Sequence, residues 1–404
     1  MLKRIRAKDL KVGMYVVKYG RGDFRDPEVS VERPMLSEQA IRESIPENVS
    51  HVWIDDKIDL DIKSRVRPAR AADVAEPEPG PGMPEPQVPL QEEIAEVEED
   101  YVQAVSYAKV FMDDVRRGKP LDVRQAEPMV DRFIQSVYRN PRAAATLAKL
   151  RRFDEYTFTH SINVGVLAIV LGRHLGLNKN ALKLLGVAGL FHDTGKARIP
   201  EDILNKPGKL SPEEFEVMKA HPQEGYDVLQ GQKGLHPEVL KAALEHHERN
   251  DGQGYPRGLT GKDMGRLSRL ISVVDVYDAL TSKRVYKDAM PPIQALGLMY
   301  QWRDTDFYPS SVEHFIKCMG VYPVGSFVEL STGEYGVVTE ITPGQPLFPR
   351  VKVIFNREML PRRERMVDMW ALREAGKAPP SIERCLNPAE YKVDLGRYFQ
   401  LEAV

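Results

Sequence analysis

Residues 181–196 read ALKLLGVAGLFHDTGK. Apolar residues recur through the first eleven positions at the spacing of a helix buried around most of its circumference, and the run stops at Phe191. An imidazole and a carboxylate, His192 and Asp193, follow at once. The helix therefore delivers two metal-binding or proton-transferring groups to a buried end.

The same arrangement recurs outward from this stretch. A helix predicted over 155–175 carries His160 near its start, one over 212–221 ends in His221-Pro222, and one over 237–247 ends in His246-His247. A helix over 265–282 places Asp275 inside the apolar run 270–276, where a bare carboxylate costs about several kcal/mol unless a cation partners it. From about Leu121 to Tyr300 the pattern is almost wholly helical with short Pro, Gly and Asn breaks, so the fold class is mainly α. Five of the nine histidines sit at or near helix ends of this one region, and those ends can converge on one point. A metal ion is the most direct partner for such a group. Imidazole and carboxylate donors suit Fe(II), Mn(II), Co(II) or Zn(II), and the lack of Cys ligands speaks against structural zinc. Five His and two Asp exceed the needs of one ion. They can serve two ions bridged by Asp193, with positions left open for hydroxide and a substrate phosphate, which is the donor set of a dinuclear hydrolase. His51, His174, His236 and His314 keep the ordinary reading of core or surface residues.

Composition narrows the partners. The 404 residues are 42% hydrophobic and 29% charged, enough for a sizeable core and more than one domain. A net charge of -2 offers no global attraction for a polyanion, so nucleic-acid polymers are excluded and any phosphate ligand must be held by local groups. Cys318 and Cys385 form no CxxC pair, which fits a reducing cytoplasm. No stretch approaches the roughly 18 apolar residues of a membrane span, and the N-terminus lacks an apolar signal region, so a cytoplasmic location is expected.

Four segments follow from texture. Residues 1–66 combine β-rich runs at Met14–Val17 and Val49–Ile54 with a helical patch around Ser37–Ile45, a small α+β domain. Residues 67–100 read as a flexible linker, with seven prolines from Pro68 to Pro89 and then an acidic run from Glu92 to Asp100. Residues 101–318 form the helical domain, opening on an amphipathic helix over Tyr101–Arg117 with Val102, Val105, Ala108, Val110 and Met112 as its apolar set. Residues 319–404 read as a small β-rich appendage, with the runs VGSFVELSTGEYGVVTEI and VKVIFN broken by STGE and PGQP turns.

Three segments carry a family resemblance. They are His192-Asp193-Thr194-Gly195-Lys196, His221-Pro222-Gln223-Glu224-Gly225, and the run from His246-His247-Glu248 through Gly252-Gln253-Gly254-Tyr255-Pro256. These resemble the signatures of the HD-GYP family, and the likeness runs from about residue 150 to 290, through HSINV after Thr159 and VVDVYDALTSKRVYK. Residues 1–66, with LKVGMYVVKYG, resemble a small domain of unknown function often found ahead of HD-GYP domains.

The resemblance implies an all-helical HD-type metallohydrolase core that cleaves the bacterial second messenger cyclic di-GMP to pGpG and on to GMP. It implies His160, His192, Asp193, His221, His246, His247 and Asp275 as ligands of two divalent ions, Fe or Mn first, then Zn, Co or Ni. Lys196 would contact the substrate phosphate or protonate the leaving oxygen; Tyr255, Arg284 and Lys287 would bind substrate. Some relatives use a glutamate one turn before the first histidine to bind a third metal; Tyr156 stands here, so two ions are expected. The expected partners are cyclic di-GMP, diguanylate cyclase (GGDEF) proteins and a second copy of the chain. The setting is second-messenger control of biofilm and motility. Two rival readings keep the fold: a cyclic di-GMP receptor or scaffold without turnover, and a phosphohydrolase of another cyclic dinucleotide. A third makes the chain chiefly an interaction protein through its N-terminal domain and acidic linker.

Overall fold

The computed structural model describes residues 2–10, 15–20, 29–34, 49, 51–55, 85–150, 156–282, 289–342 and 345–399. The chain divides into two units, Met1–Glu78 and Pro79–Val404. In the first, strands β1 (Leu2–Arg6), β2 (Tyr15–Gly20), β3 (Val29–Pro34) and β4 (His51–Asp55) make an antiparallel sheet in the order β1-β4-β2-β3. The helical patch expected around Ser37–Ile45 and the linker as far as residue 84 lie outside the described residues.

The second unit opens with a 27-residue helix, Leu90–Arg116. It starts inside the segment assigned to the linker and takes in the whole acidic run, because Ile94 and Val97 continue the apolar spacing of Tyr101, Ala104, Ala108 and Val115 while Glu92, Glu96 and Glu99 stay in water. Composition concealed this stripe among charges. The buried face also differs from the expected one: Val105, Ala108 and Met112 are buried, whereas Val102 and Val110 face solvent. Glu93 is fully buried, and the Arg139 guanidinium grips it in a two-bond fork of 2.6 and 2.9 Å.

Helix Tyr156–His174 and helix Lys179–Phe191 form the centre of the core. Asn178 caps the second by accepting a hydrogen bond from the Ala181 N–H at 3.0 Å. The two backbones come almost into contact, since a Cβ added to Gly189 would lie 2.6 Å from Gly165 Cα. Only glycine permits that approach. It matters for the site, because His160 lies five positions before Gly165 and His192 three after Gly189.

The C-terminal strands β5 (Phe327–Leu330), β6 (Tyr335–Glu340), β7 (Arg350–Phe355), β8 (Pro361–Asp368) and β9 (Ile382–Leu386) form an antiparallel sheet in the order β8-β7-β6-β5-β9. One face sends Phe327, Val337 and Ile354 into the main helical core; the other buries Val328, Val338, Val351, Val353 and Met369 in a cluster of its own. The β-rich region is therefore built onto the helical core rather than hung from it. The Lys149 ammonium adds a polar tie, donating to the Val324 carbonyl at 3.1 Å.

Gly189→Ala is expected to cost about 1–3 kcal/mol in urea unfolding, because a methyl group must push two packed backbones apart. The same change is expected to weaken metal uptake by displacing His192. A variant as stable as the parent would contradict the close approach.

Candidate metal centre

Three helices end at the same place. His192 follows the last residue of Lys179–Phe191, His246 the last residue of Pro237–Glu245, and His221 lies three positions beyond the end of Pro212–Met218. The sequence reading carried that third helix through to His221. The structure ends it at Met218, and His221 opens a new helix, His221–Gln230, whose second position holds the Pro that suits a helix start. The HDTG turn packs against this new helix so closely that a Cβ on Gly195 would meet the His221 carbonyl oxygen at 1.9 Å. His160 enters from Tyr156–His174 and Asp275 from the helix Arg266–Thr281.

The last carbonyls of a helix have no intrahelical partner, and here they orient imidazoles. Nδ1 of His192 donates to the Gly189 carbonyl at 2.7 Å, that of His221 to Met218 at 2.8 Å and that of His246 to Ala243 at 2.9 Å. His160 Nδ1 instead donates to the Asp278 carboxylate at 2.7 Å. In each ring Nε2 is turned inward, the nitrogen that a metal ion would take in place of a proton.

The inward donors fall into two groups. His160, His192 and Asp275 bring ligand atoms together in one, and Asp193, His221, His246 and His247 in the other. Asp193 belongs to both. Its Oδ2 lies 3.4 Å from His160 Nε2 and 3.3 Å from His192 Nε2, while its Oδ1 lies 3.4 Å from His221 Nε2 and 3.6 Å from His246 Nε2. Among the described residues, His192 Nε2 and Asp193 Oδ1 are buried without a hydrogen-bond partner, and His221 Nε2 faces His246 Nε2 at 3.2 Å. Buried acceptors aimed at one another repel unless a cation stands between them. The residues present thus fit two divalent ions.

Electrostatics agree with that fit. Burial disfavours the His192 imidazolium, but the Asp193 and Asp275 carboxylates outweigh it and push its pKa up to about 10. Burial also opposes the charge on Asp193, yet the His192 and Lys196 cations hold its carboxyl well below the usual range. His221 goes the other way, with burial pushing it down to about 3 against the pull of Asp193. The centre seeks positive charge on the side of Asp275 and keeps neutral, ligand-ready imidazole on the side of His221.

Of the other sequence-predicted residues, Lys196 stands on the 3-10 turn Thr194–Arg198 with Nζ 2.5 Å from Asp193 Oδ2 and 19% of its side chain exposed. Tyr255 lies over His247, ring centres 4.8 Å apart, with its N–H bonded to the His247 carbonyl at 3.1 Å. Arg284 and Lys287 lie outside the described residues; for Tyr156 the backbone alone is described, at the head of its helix.

Several residues around the centre are not singled out by the sequence. Buried Glu248 accepts the N–H groups of Arg257 at 2.7 Å and Leu259 at 2.8 Å, fixing the loop that presents Tyr255. Glu245 accepts from Gly265 N–H at 2.7 Å and the Ser268 hydroxyl at 2.9 Å. Asp278 lies one turn from Asp275, a spacing that marked it as a second inward carboxylate. Phe215, 44% exposed on Pro212–Met218, stands edge-on to Tyr255 at 6.4 Å with the Lys219 ammonium 5.4 Å from its ring. Nothing in its local pattern set it apart from a core residue.

Residues 138–312 match the HD domain family, and residues 2–126 match a domain of unknown function, DUF3391. The chain is 37% identical over 382 residues to the cyclic di-GMP phosphodiesterase PA4108 of Pseudomonas aeruginosa, covering 91% of this chain and 89% of that protein. It is 38% identical over 181 residues to the cyclic di-GMP phosphodiesterase response regulator RpfG of Xanthomonas campestris, 44% of this chain and 48% of RpfG. It is also 41% identical over 146 residues to 3'3'-cGAMP-specific phosphodiesterase 1 of Vibrio cholerae, 36% of this chain and 34% of that protein. Identity at this level along nine-tenths of a relative, over a centre whose inward-facing histidines and aspartates are all in place, makes the chain a member of the HD-GYP family of metal-dependent phosphodiesterases.

Proposed function

We propose that this protein hydrolyses cyclic di-GMP to pGpG and on to GMP, using two divalent ions held around Asp193. The observation that carries the reading is the division of one buried carboxylate between two donor groups, each with its imidazoles already oriented. Fe or Mn suits the thiolate-free set best. When bound, such ions neutralise phosphate charge and lower the pKa of water toward neutrality.

The chain's own groups do the rest. His160, His192 and Asp275 would hold one ion, His221, His246 and His247 the other, and Asp193 would serve both. Lys196 supplies a proton donor to the departing 3'-oxygen, being the cation nearest Asp193 with part of its side chain open to solvent. Tyr255 contributes a ring and a hydroxyl beside His247; burial, with Asp275 and Asp193 adding, raises its phenol pKa, so it stays protonated and can donate to a phosphate oxygen. Phe215 offers the next aromatic surface, suited to stacking a purine base. Arg284 and Lys287 are assigned to the phosphates by family resemblance. The N-terminal unit is assigned the regulatory role, including docking of a diguanylate cyclase and homodimer formation, in a cytoplasmic protein. Among the described residues no helix is long and apolar enough to cross a membrane.

The deciding assay incubates protein loaded anaerobically with Fe(II) or Mn(II) with cyclic di-GMP and, separately, with 3'3'-cGAMP, and resolves the products by chromatography. Cyclic di-GMP is expected to be consumed faster. Saturable binding without product would favour a receptor, and preference for the mixed dinucleotide would move the substrate. Asp193→Ala should lose bound metal together with at least about 1,000-fold in rate, since both ions depend on that carboxylate. Lys196→Ala should lower kcat by about 100-fold or more with metal content intact. Phe215→Ala should raise KM for cyclic di-GMP by about 5- to 150-fold, the range of one base-stacking contact, with kcat little changed. Equal kinetics for that variant would remove Phe215 from the substrate site.

A further inference from the structure

A buried polar chain runs away from the metal centre. His160 Nδ1 donates to Asp278 Oδ2 at 2.7 Å, Asn163 Nδ2 donates to Asp278 Oδ1 at 3.0 Å, and the Tyr101 hydroxyl donates to Asn163 Oδ1 at 2.5 Å. The Ser282 hydroxyl adds a bond to Asp278 Oδ2 at 3.2 Å. All four principal residues are buried. They come from three helices, and Tyr101 belongs to Leu90–Arg116, which supplies no metal-facing residue.

The links differ in what they decide. Asp278 fixes the proton of His160 on Nδ1 and so aims Nε2 toward Asp193 and Asp275, which lie 3.4 and 3.0 Å away. A carboxamide can present either its oxygen or its nitrogen, and a carboxylate can only accept. Asn163 therefore serves Asp278 only when its NH2 points there. Tyr101 enforces this orientation by giving the carboxamide oxygen a donor on the opposite side. Burial, with the Asp278 charge adding, pushes the Tyr101 phenol far above its usual range, so it remains a donor at any physiological pH.

We propose that Tyr101 is a remote positioning residue for the ion held by His160, His192 and Asp275, acting through Asn163 and Asp278. It touches neither metal nor substrate. Its consequence is that the helix following the Pro-rich segment sets the affinity of one of the two metal positions and leaves the other alone. The inference rests on the dinuclear reading above and extends it to a specific asymmetry between the ions.

The test is Mn(II) titration of the metal-free full chain by calorimetry, with no substrate present, so that it reads binding rather than turnover. Wild type is expected to bind two ions. Tyr101→Phe should weaken one binding step by about 3- to 10-fold, the effect of one lost hydrogen bond in a satisfied network, and Asp278→Asn the same step by about 10- to 100-fold. The other step should stay within about twofold, well below either effect. Asn163→Ala should reproduce the Tyr101→Phe shift, and it serves as the reading if Tyr101→Phe does not fold. Tyr107→Phe is the control: Tyr107 lies on the same helix but donates to the Asp122 carbonyl at 2.9 Å, so its loss should move stability alone. Two wild-type steps in Tyr101→Phe, or equal weakening of both, would overturn the proposal while leaving the dinuclear reading standing. A wild-type chain that binds no Mn(II) or Fe(II) would overturn both.

Discussion

Everything near the centre of this protein serves one buried carboxylate. Asp193 is 1% exposed, and its two oxygens face different sets of imidazoles at 3.3 to 3.6 Å. An ionised carboxylate taken out of water is sustained only by cations or by a full set of hydrogen bonds. Lys196 supplies one cation to Oδ2, whereas among the described residues Oδ1 has no hydrogen-bond partner. The shortfall is a property of the centre, and it matches the demand of a bridging ligand.

Helix ends meet part of that demand. Three helices direct their C-termini at the centre, and their last carbonyls hold His192, His221 and His246 in the ligand tautomer. The same ends carry the negative pole of the helix dipole, which favours cations. One feature thus leaves fewer helix-end carbonyls unsatisfied, orients the ligands and lowers the potential where positive charge is needed. His160, in the first turns of its own helix, cannot use this device and relies on Asp278 instead. That difference sets His160, oriented by a side chain, apart from His192, His221 and His246, oriented by backbone carbonyls.

Rigidity around the centre comes from close backbone contacts more than from extra side chains. Gly189 against Gly165, and Gly195 against the His221 carbonyl, leave no room for a methyl group. Buried Glu245 and Glu248 then hold the loop that carries Tyr255 through backbone N–H groups and a serine hydroxyl. The C-terminal sheet contributes at longer range, since Phe327, Val337 and Ile354 belong to the same core as the ligand-bearing helices. Phe215 is the exception to this burial, an aromatic ring 44% exposed beside Tyr255.

The sequence by itself determined the fold class, the family and the seven inward-facing residues, because helix-period apolar runs and the HD, HP and HHE segments are local patterns that survive without coordinates. It did not determine the start of the Leu90–Arg116 helix, where Ile94 and Val97 were hidden among acidic residues, nor the true buried face of that helix. Tertiary structure alone decided how the seven candidate ligands divide into two groups, which oxygen of Asp193 faces which, and that Tyr101 reaches the centre through Asn163 and Asp278. The last of these depends on contacts between residues 62 to 118 positions apart. Periodicity says which side of a helix is buried, and only packing says against what.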